Sequence, residues 1–167
     1  MSTDLTDPRF TAMGLFAETY AGLTNLFAAQ FDEHRLSPVE FEVLMRLARS
    51  PGRRLRMTDL AGQTSLSTSG VTRVVDRMDR DGLIRREACA TDRRSSYAVI
   101  TDTGLARLGE VLPGHLALIE RWLVQPLTPA QLDALLDALR ALRDAVNPCA
   151  TAGSDQPAEP PAEAHNA

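Results

Sequence analysis

The stretch from Leu55 to Thr101 restricts the possible folds of this chain more than any other. Its first part, "LRMTDLAGQTSLSTSGVTRVVDRMDRDGLI", reads as two helices joined by a short turn. The first helix is expected from about Thr58 to Gln63. The second starts with Ser67 as its cap and keeps Val71, Val74, Val75 and Met78 on one face. Asp81-Gly82 stops it, with the glycine suited to the left-handed position that follows a helix. Next, "LIRREA" and "SYAVIT" read as two short strands of a β-hairpin whose polar tip carries arginines.

The flanking segments are helical in pattern. From Phe10 the apolar residues Met13, Phe16, Tyr20, Leu23 and Phe27 recur at steps of three and four, giving one stripe along a long helix. Such a stripe must be covered by the domain, by a partner chain, or by both. "SPVEFEVLMRLARSPG" starts a further helix, with Ser37 as cap, Pro38 at the first position and Glu40 completing a capping box. Phe41, Leu44, Met45 and Ala48 supply its buried side, and Pro51-Gly52 ends it. Thr101 to Gln125 is helical, with a kink or break expected at Pro113-Gly114. A last helix is capped by Thr128 and Gln131 and carries Leu132, Leu135, Leu136, Leu139 and Leu142 on one face. Residues 1–9 read as a frayed end. Residues 148–167, rich in Pro, Ala and Glu, read as a disordered tail.

A short helix, a tight turn, a second helix with a polar outer face and a hairpin make a winged helix-turn-helix. The fold class is therefore mainly α with a small β-hairpin wing (α+β). The second helix can enter a DNA major groove with its N-terminal residues near base edges. Its polar face carries Ser67, Thr68, Ser69, Thr72, Arg73 and Arg77, in which small hydroxyls permit close approach and Arg73 can take a guanine edge or pair with the DNA backbone. Charge supports this placement. The chain has a formal net charge of −4, yet residues 53–94 hold ten arginines against six acids, a local +4. Arg80 reads as part of a charged outer face, and Arg53, Arg54 and Arg56 as phosphate contacts or solubilising charges.

The run "LSTSGVTRVVDRMDRDGLIRREACATDRRSSYAVITDTG" resembles the core of the MarR family of bacterial transcriptional regulators. The resemblance rests on the recognition helix, the Asp-x-Arg wing signature at Asp92-Arg93-Arg94, the strand ending "VIT", and Gly104. It extends over roughly Phe10 to Val146. It implies a homodimer in which residues 10–36 and 101–147 form a helical dimerisation region and residues 37–100 the DNA-binding domain. It further implies double-stranded DNA with a pseudo-palindromic operator as partner, a repressor role, and wing contacts in which Asp92 braces Arg94 for the minor groove while Arg93 meets phosphate or solvent. A small aromatic or anionic effector is a further partner the resemblance allows, for which Met13, Phe16, Tyr20, Phe41 and Met45 are the candidate pocket; a helical stripe of this kind is more often core than pocket.

Other chemistry finds little footing. There is no nucleophile motif, phosphate-binding glycine loop or paired-carboxylate cleft, so an enzyme is not expected, nor is a cofactor. His34, His115 and His165 do not cluster with Cys or carboxylates, so no metal site is expected. Cys89, at the base of the wing, reads as a small buried residue, with redox sensing the alternative; Cys149 begins the tail. A winged-helix module that binds proteins without sequence-specific DNA binding is the other rival. The polar, acidic start "MSTDLTDPRF" and the lack of a long apolar run lead to an expectation of a cytoplasmic protein with no membrane partner.

Overall fold

The computed structural model describes residues 5–64, 66–88, 95–148 and 150. Among them the order is α1 (Pro8–Glu33), α2 (Pro38–Ala48), β1 (Arg54–Arg56), α3 (Met57–Thr64), α4 (Thr68–Arg80), β2 (Ile84–Ala88), β3 (Ser96–Ile100), α5 (Asp102–Ile119) and α6 (Pro129–Val146). The mainly helical fold with a small sheet is the one the sequence suggested.

Helix starts follow local chemistry. Ser37 accepts the Glu40 N–H while the Glu40 carboxylate accepts the Ser37 N–H, and Thr128 and Gln131 repeat this box on α6. Each such cap stabilises its helix by about 1 kcal/mol. The first helix begins earlier than its apolar stripe suggests, at Pro8, because the Asp7 side chain accepts the Arg9 N–H at 2.9 Å and Pro8 suits the first turn.

Two expectations are corrected. The hairpin is part of a three-stranded antiparallel sheet ordered β1-β3-β2, with Arg54 opposite Val99 and Ile84 opposite Ile100. The added strand, Arg-Leu-Arg, alternates outward charge with an inward Leu55 that packs on the core. Gly52 and Arg53, at φ +64° and +54°, turn the chain from α2 into it. The second correction concerns the break expected in α5, which continues as one helix through Pro113. Pro113 and Gly109, whose carbonyl loses its donor, both lie exposed, so water can take the lost bond. The irregularity comes later, in a π turn over Glu120–Val124, where the Gln125 N–H donates to the Glu120 carbonyl at 2.8 Å.

One core joins these elements. Val43, Leu44 and Leu47 of α2 meet Leu60 of α3, Val71, Val75 and Met78 of α4, Ile84 and Ala98 of the sheet, and Leu108 and Val111 of α5. Burial of each large side chain stabilises the fold by roughly 1.5–3 kcal/mol. The Gln30 amide of α1 donates to the Val111 carbonyl at 3.1 Å and ties α1 to α5. The outer helices are different. No residue of α6 is fully buried, and Phe10, Met13, Phe16 and Tyr20 of α1 are each at least half exposed. No helix among the described residues is long and apolar enough to cross a membrane.

Candidate nucleic-acid interface

Helix α4 lies with Val71, Val75 and Met78 in the core, which turns its other face outward. Ser67, Thr68, Ser69 and Arg73 are all exposed on that side. Ser67 Oγ accepts the Gly70 N–H at 3.1 Å and stands 3.2 Å from Ser69 Oγ. The first turn thus presents a cluster of hydroxyls beside backbone N–H groups at the positive end of the helix dipole, a setting suited to phosphate oxygens. Thr72 is more inward, its hydroxyl donating to the Thr68 carbonyl at 2.9 Å. Arg73 makes no hydrogen bond or ion pair among the described residues, so its guanidinium is available.

The remaining arginines of the helix are held. Arg77, expected at the DNA, donates its Nε to Glu40 Oε1 of α2 at 2.6 Å. Arg80 donates its Nε to the Asp76 carbonyl at 3.2 Å, whereas the Asp76 carboxylate takes Arg86 of β2 at 2.7 Å. Asp76 and Arg77 thus make their ion pairs with other elements, not one turn away in α4 as spacing alone would suggest.

Beyond α4, the outer face of the sheet is an arginine cluster built around Tyr97. The register places Arg56, Tyr97 and Glu87 side by side across the three strands. Guanidinium carbons of Arg54 and Arg56 stand 4.8 and 5.8 Å from the ring centroid, and Arg56 Nε donates to the Tyr97 hydroxyl at 3.3 Å. Glu87 pairs with Arg85 and, at 3.8 Å, with Arg54. The wing residues Asp92, Arg93 and Arg94 lie outside the described residues, as do Cys89, Cys149 and His165.

A cavity of about 230 Å³ lies where α1, α2 and α5 meet, lined by Thr24, Phe27, Phe31, Pro38, Phe41 and His115. Of the five expected pocket residues only Phe41 lines it. Met13, Phe16 and Tyr20 sit nearer the start of α1, on a part of the helix that overhangs the core, and Met45 packs against the core itself. His115 gave no signal in the sequence because its partners are aromatic. Its ring lies 4.6 Å from Phe27, 5.1 Å from Phe31 and 4.6 Å from Phe41. Burial pushes its pKa below the ordinary histidine value, and its Nδ1 is buried with no hydrogen-bond partner among the described residues. No group of His, Cys, Asp or Glu able to hold a metal occurs among the described residues.

Comparison with known proteins agrees with this architecture. A MarR family model matches residues 35–95, the span from the end of α1 to the start of β3. The chain is 32% identical over 130 residues to the HTH-type transcriptional repressor YetL of Bacillus subtilis, covering 67% of this chain and 78% of that protein. The crystal structure of AbsC, a MarR family transcriptional regulator from Streptomyces coelicolor, superposes with a TM-score of 0.80 at 33% identity, over 86% of this chain and 97% of that one. Sco3205, a MarR family transcriptional regulator of the same organism solved in complex with DNA, gives 0.80 at 30% identity, over 89% and 93%. On a winged helix-turn-helix with these relatives, the conclusion is direct: the chain belongs to the MarR family of transcriptional regulators.

Proposed function

We propose that this regulator is a cytoplasmic homodimer that binds a pseudo-palindromic operator in double-stranded DNA and represses transcription by excluding polymerase. The observation that carries the reading is the outer face of α4, where an exposed hydroxyl cluster at the helix N-terminus adjoins an Arg73 without a partner among the described residues. Thr68, Ser69 and Ser67 meet phosphate, Thr72 lies against the groove wall, and Arg73 reads a base edge. At the wing, Asp92 braces Arg94 for the minor groove and Arg93 meets phosphate or solvent. The DNA complex of the similar Sco3205 supports a duplex partner, and the name of YetL supports repression.

Residues 37–100 form the DNA-binding unit in this reading, and residues 10–36 and 101–147 the dimerisation region. The exposed apolar residues of α1 and α6, Tyr20 and Leu142 among them, cover one another across the two-fold axis. A two-fold dimer sets its half-sites about one helical turn, ~34 Å, apart. An effector that relieves repression would enter the Phe27/Phe41/His115 cavity, which lies between the two regions.

Titration of a labelled fragment from the gene's own upstream region across a salt series tests the reading. Specific binding that weakens steeply with salt is expected. Arg73→Ala should lower affinity by about 1–3 kcal/mol and relax selectivity at one or two base pairs. Equal affinity for that fragment and for random duplex would overturn the proposal.

A further inference from the structure

Arg77 and Glu40 join the outer face of α4 to the first turn of α2. Glu40 is only 8% exposed, yet its carboxylate is fully engaged. Oε2 accepts the Ser37 N–H at 2.8 Å and the Ser37 hydroxyl at 2.7 Å, and Oε1 accepts Arg77 Nε at 2.6 Å. One carboxylate therefore caps α2 and holds α4. Arg77 is two helical turns beyond Ser69 on the same face, so rotation or tilt of α4 about this pair swings the hydroxyl cluster and Arg73 at its far end.

We propose that Arg77 is a positioning residue for DNA reading: its pairing with Glu40 fixes how α4 sits on α2, and it does not itself neutralise a phosphate. This rests on the DNA-binding reading given above. Its physical basis is geometric. Burial of Val71, Val75 and Met78 fixes the depth and broad orientation of α4, and the Asp76–Arg86 pair ties it to β2, but toward α2 apolar contact gives no directional restraint. A directional, charge-assisted hydrogen bond to a nearly buried acceptor supplies that restraint.

Glu40→Gln is a selective probe, because the glutamine oxygen can keep the capping box with Ser37 while its amide NH2, a donor, replaces the carboxylate oxygen that accepts Arg77. Glu40→Gln, Arg77→Gln and the double variant would be titrated against the upstream fragment and against random duplex, over a salt series, with thermal melts alongside. Each single variant should weaken specific binding about three- to tenfold, the Arg77 side of the pair being half exposed. The double variant should be no weaker than the singles, the mark of a shared interaction. Random-duplex binding and the salt slope should stay at wild-type values in all three.

A phosphate-contacting Arg77 behaves otherwise. Arg77→Gln would then reduce the salt slope by about 0.9 per protomer, and Glu40→Gln would leave affinity unchanged or raise it by releasing the arginine. Either result overturns the positioning role. Loss of thermal stability with specific affinity and selectivity intact would overturn it too. Failure of the wild-type chain to prefer its fragment is a different outcome, since it removes the DNA-binding reading beneath the proposal.

Discussion

Gly104 sits where the end of α4, the sheet and α5 converge, and an added methyl there has nowhere to go. An alanine Cβ at this position would stand 2.1 Å from the Leu83 carbonyl oxygen and 2.8 Å from Ile100 Cγ1. Relief requires a shift on the order of 1 Å between α5 and the Gly82–Leu83 turn, given ordinary separations near 3.5 Å. The same carbonyl accepts the Thr101 N–H at 3.1 Å, and Thr101 Oγ lies 2.7 Å from the Gly82 carbonyl. Overpacking costs about 1–3 kcal/mol, and two weakened hydrogen bonds add about 1 kcal/mol each. Alanine's helix propensity offsets about 1 kcal/mol. Gly104→Ala is thus expected to destabilise by about 2–4 kcal/mol and to lower Tm by roughly 5–15 °C at fixed protein concentration. Gly109, on the same helix, faces open space: beyond the adjoining helix backbone, no atom among the described residues would lie within 4 Å of an alanine Cβ there. Gly109→Ala is expected to stabilise by up to about 1 kcal/mol, from propensity alone. Circular dichroism melts decide the matter through the opposite signs. A Gly104→Ala melt at or above wild type would refute the packing account.

The remaining predictions concern the cavity and the outer helices. His115 is held neutral by burial, so its folded pKa lies below the unfolded one. Below the ordinary value of about 6.5, the unfolded chain binds the extra proton, and stability falls as pH drops from there through the folded pKa. His115→Phe should flatten the decline in Tm between about pH 7 and pH 5, and an unchanged pH profile would remove His115 as its source. On α6, Leu139→Glu places a charge on each side of the proposed two-fold interface. It should weaken self-association by about 3 kcal/mol or more, read by sedimentation velocity at micromolar protein. Unaltered association would move the interface elsewhere.

The helices were legible where local chemistry decides them. Ser37-Pro38-x-Glu40, Thr128-x-x-Gln131 and the valine face of α4 each stand within a turn or two of sequence, and each appears in the structure as read. What lay hidden was set by distant partners. β1 is only Arg-Leu-Arg, below any useful window, and becomes a strand because β3 offers it a free edge. Pro113 reads as a breaker, but the outcome depends on which side of α5 it faces, and that side is set by the packing of Leu108 and Val111. The cavity escaped for the same reason: Phe27, Phe41 and His115 come from three helices, and the Met13–Tyr20 stripe that drew attention overhangs the core.

The arginines carry this lesson furthest into function. Counting charges over residues 53–94 locates a basic region, but a count treats every arginine alike. In the structure Arg54, Arg85 and Arg86 meet Glu87 or Asp76, and Arg77 meets Glu40, a carboxylate from outside that region. A guanidinium already paired keeps free N–H donors, but the carboxylate beside it offsets its charge and repels an incoming phosphate, so its net gain from DNA is smaller. Arg73 starts without that debt among the described residues, and it stands on the first turns of α4, where the helix dipole also favours an anion. The part of the basic region that can recognise DNA most strongly is therefore narrower than the charge suggests. The paired arginines tie the sheet and α2 to α4, and Arg73 is left facing outward among the described residues.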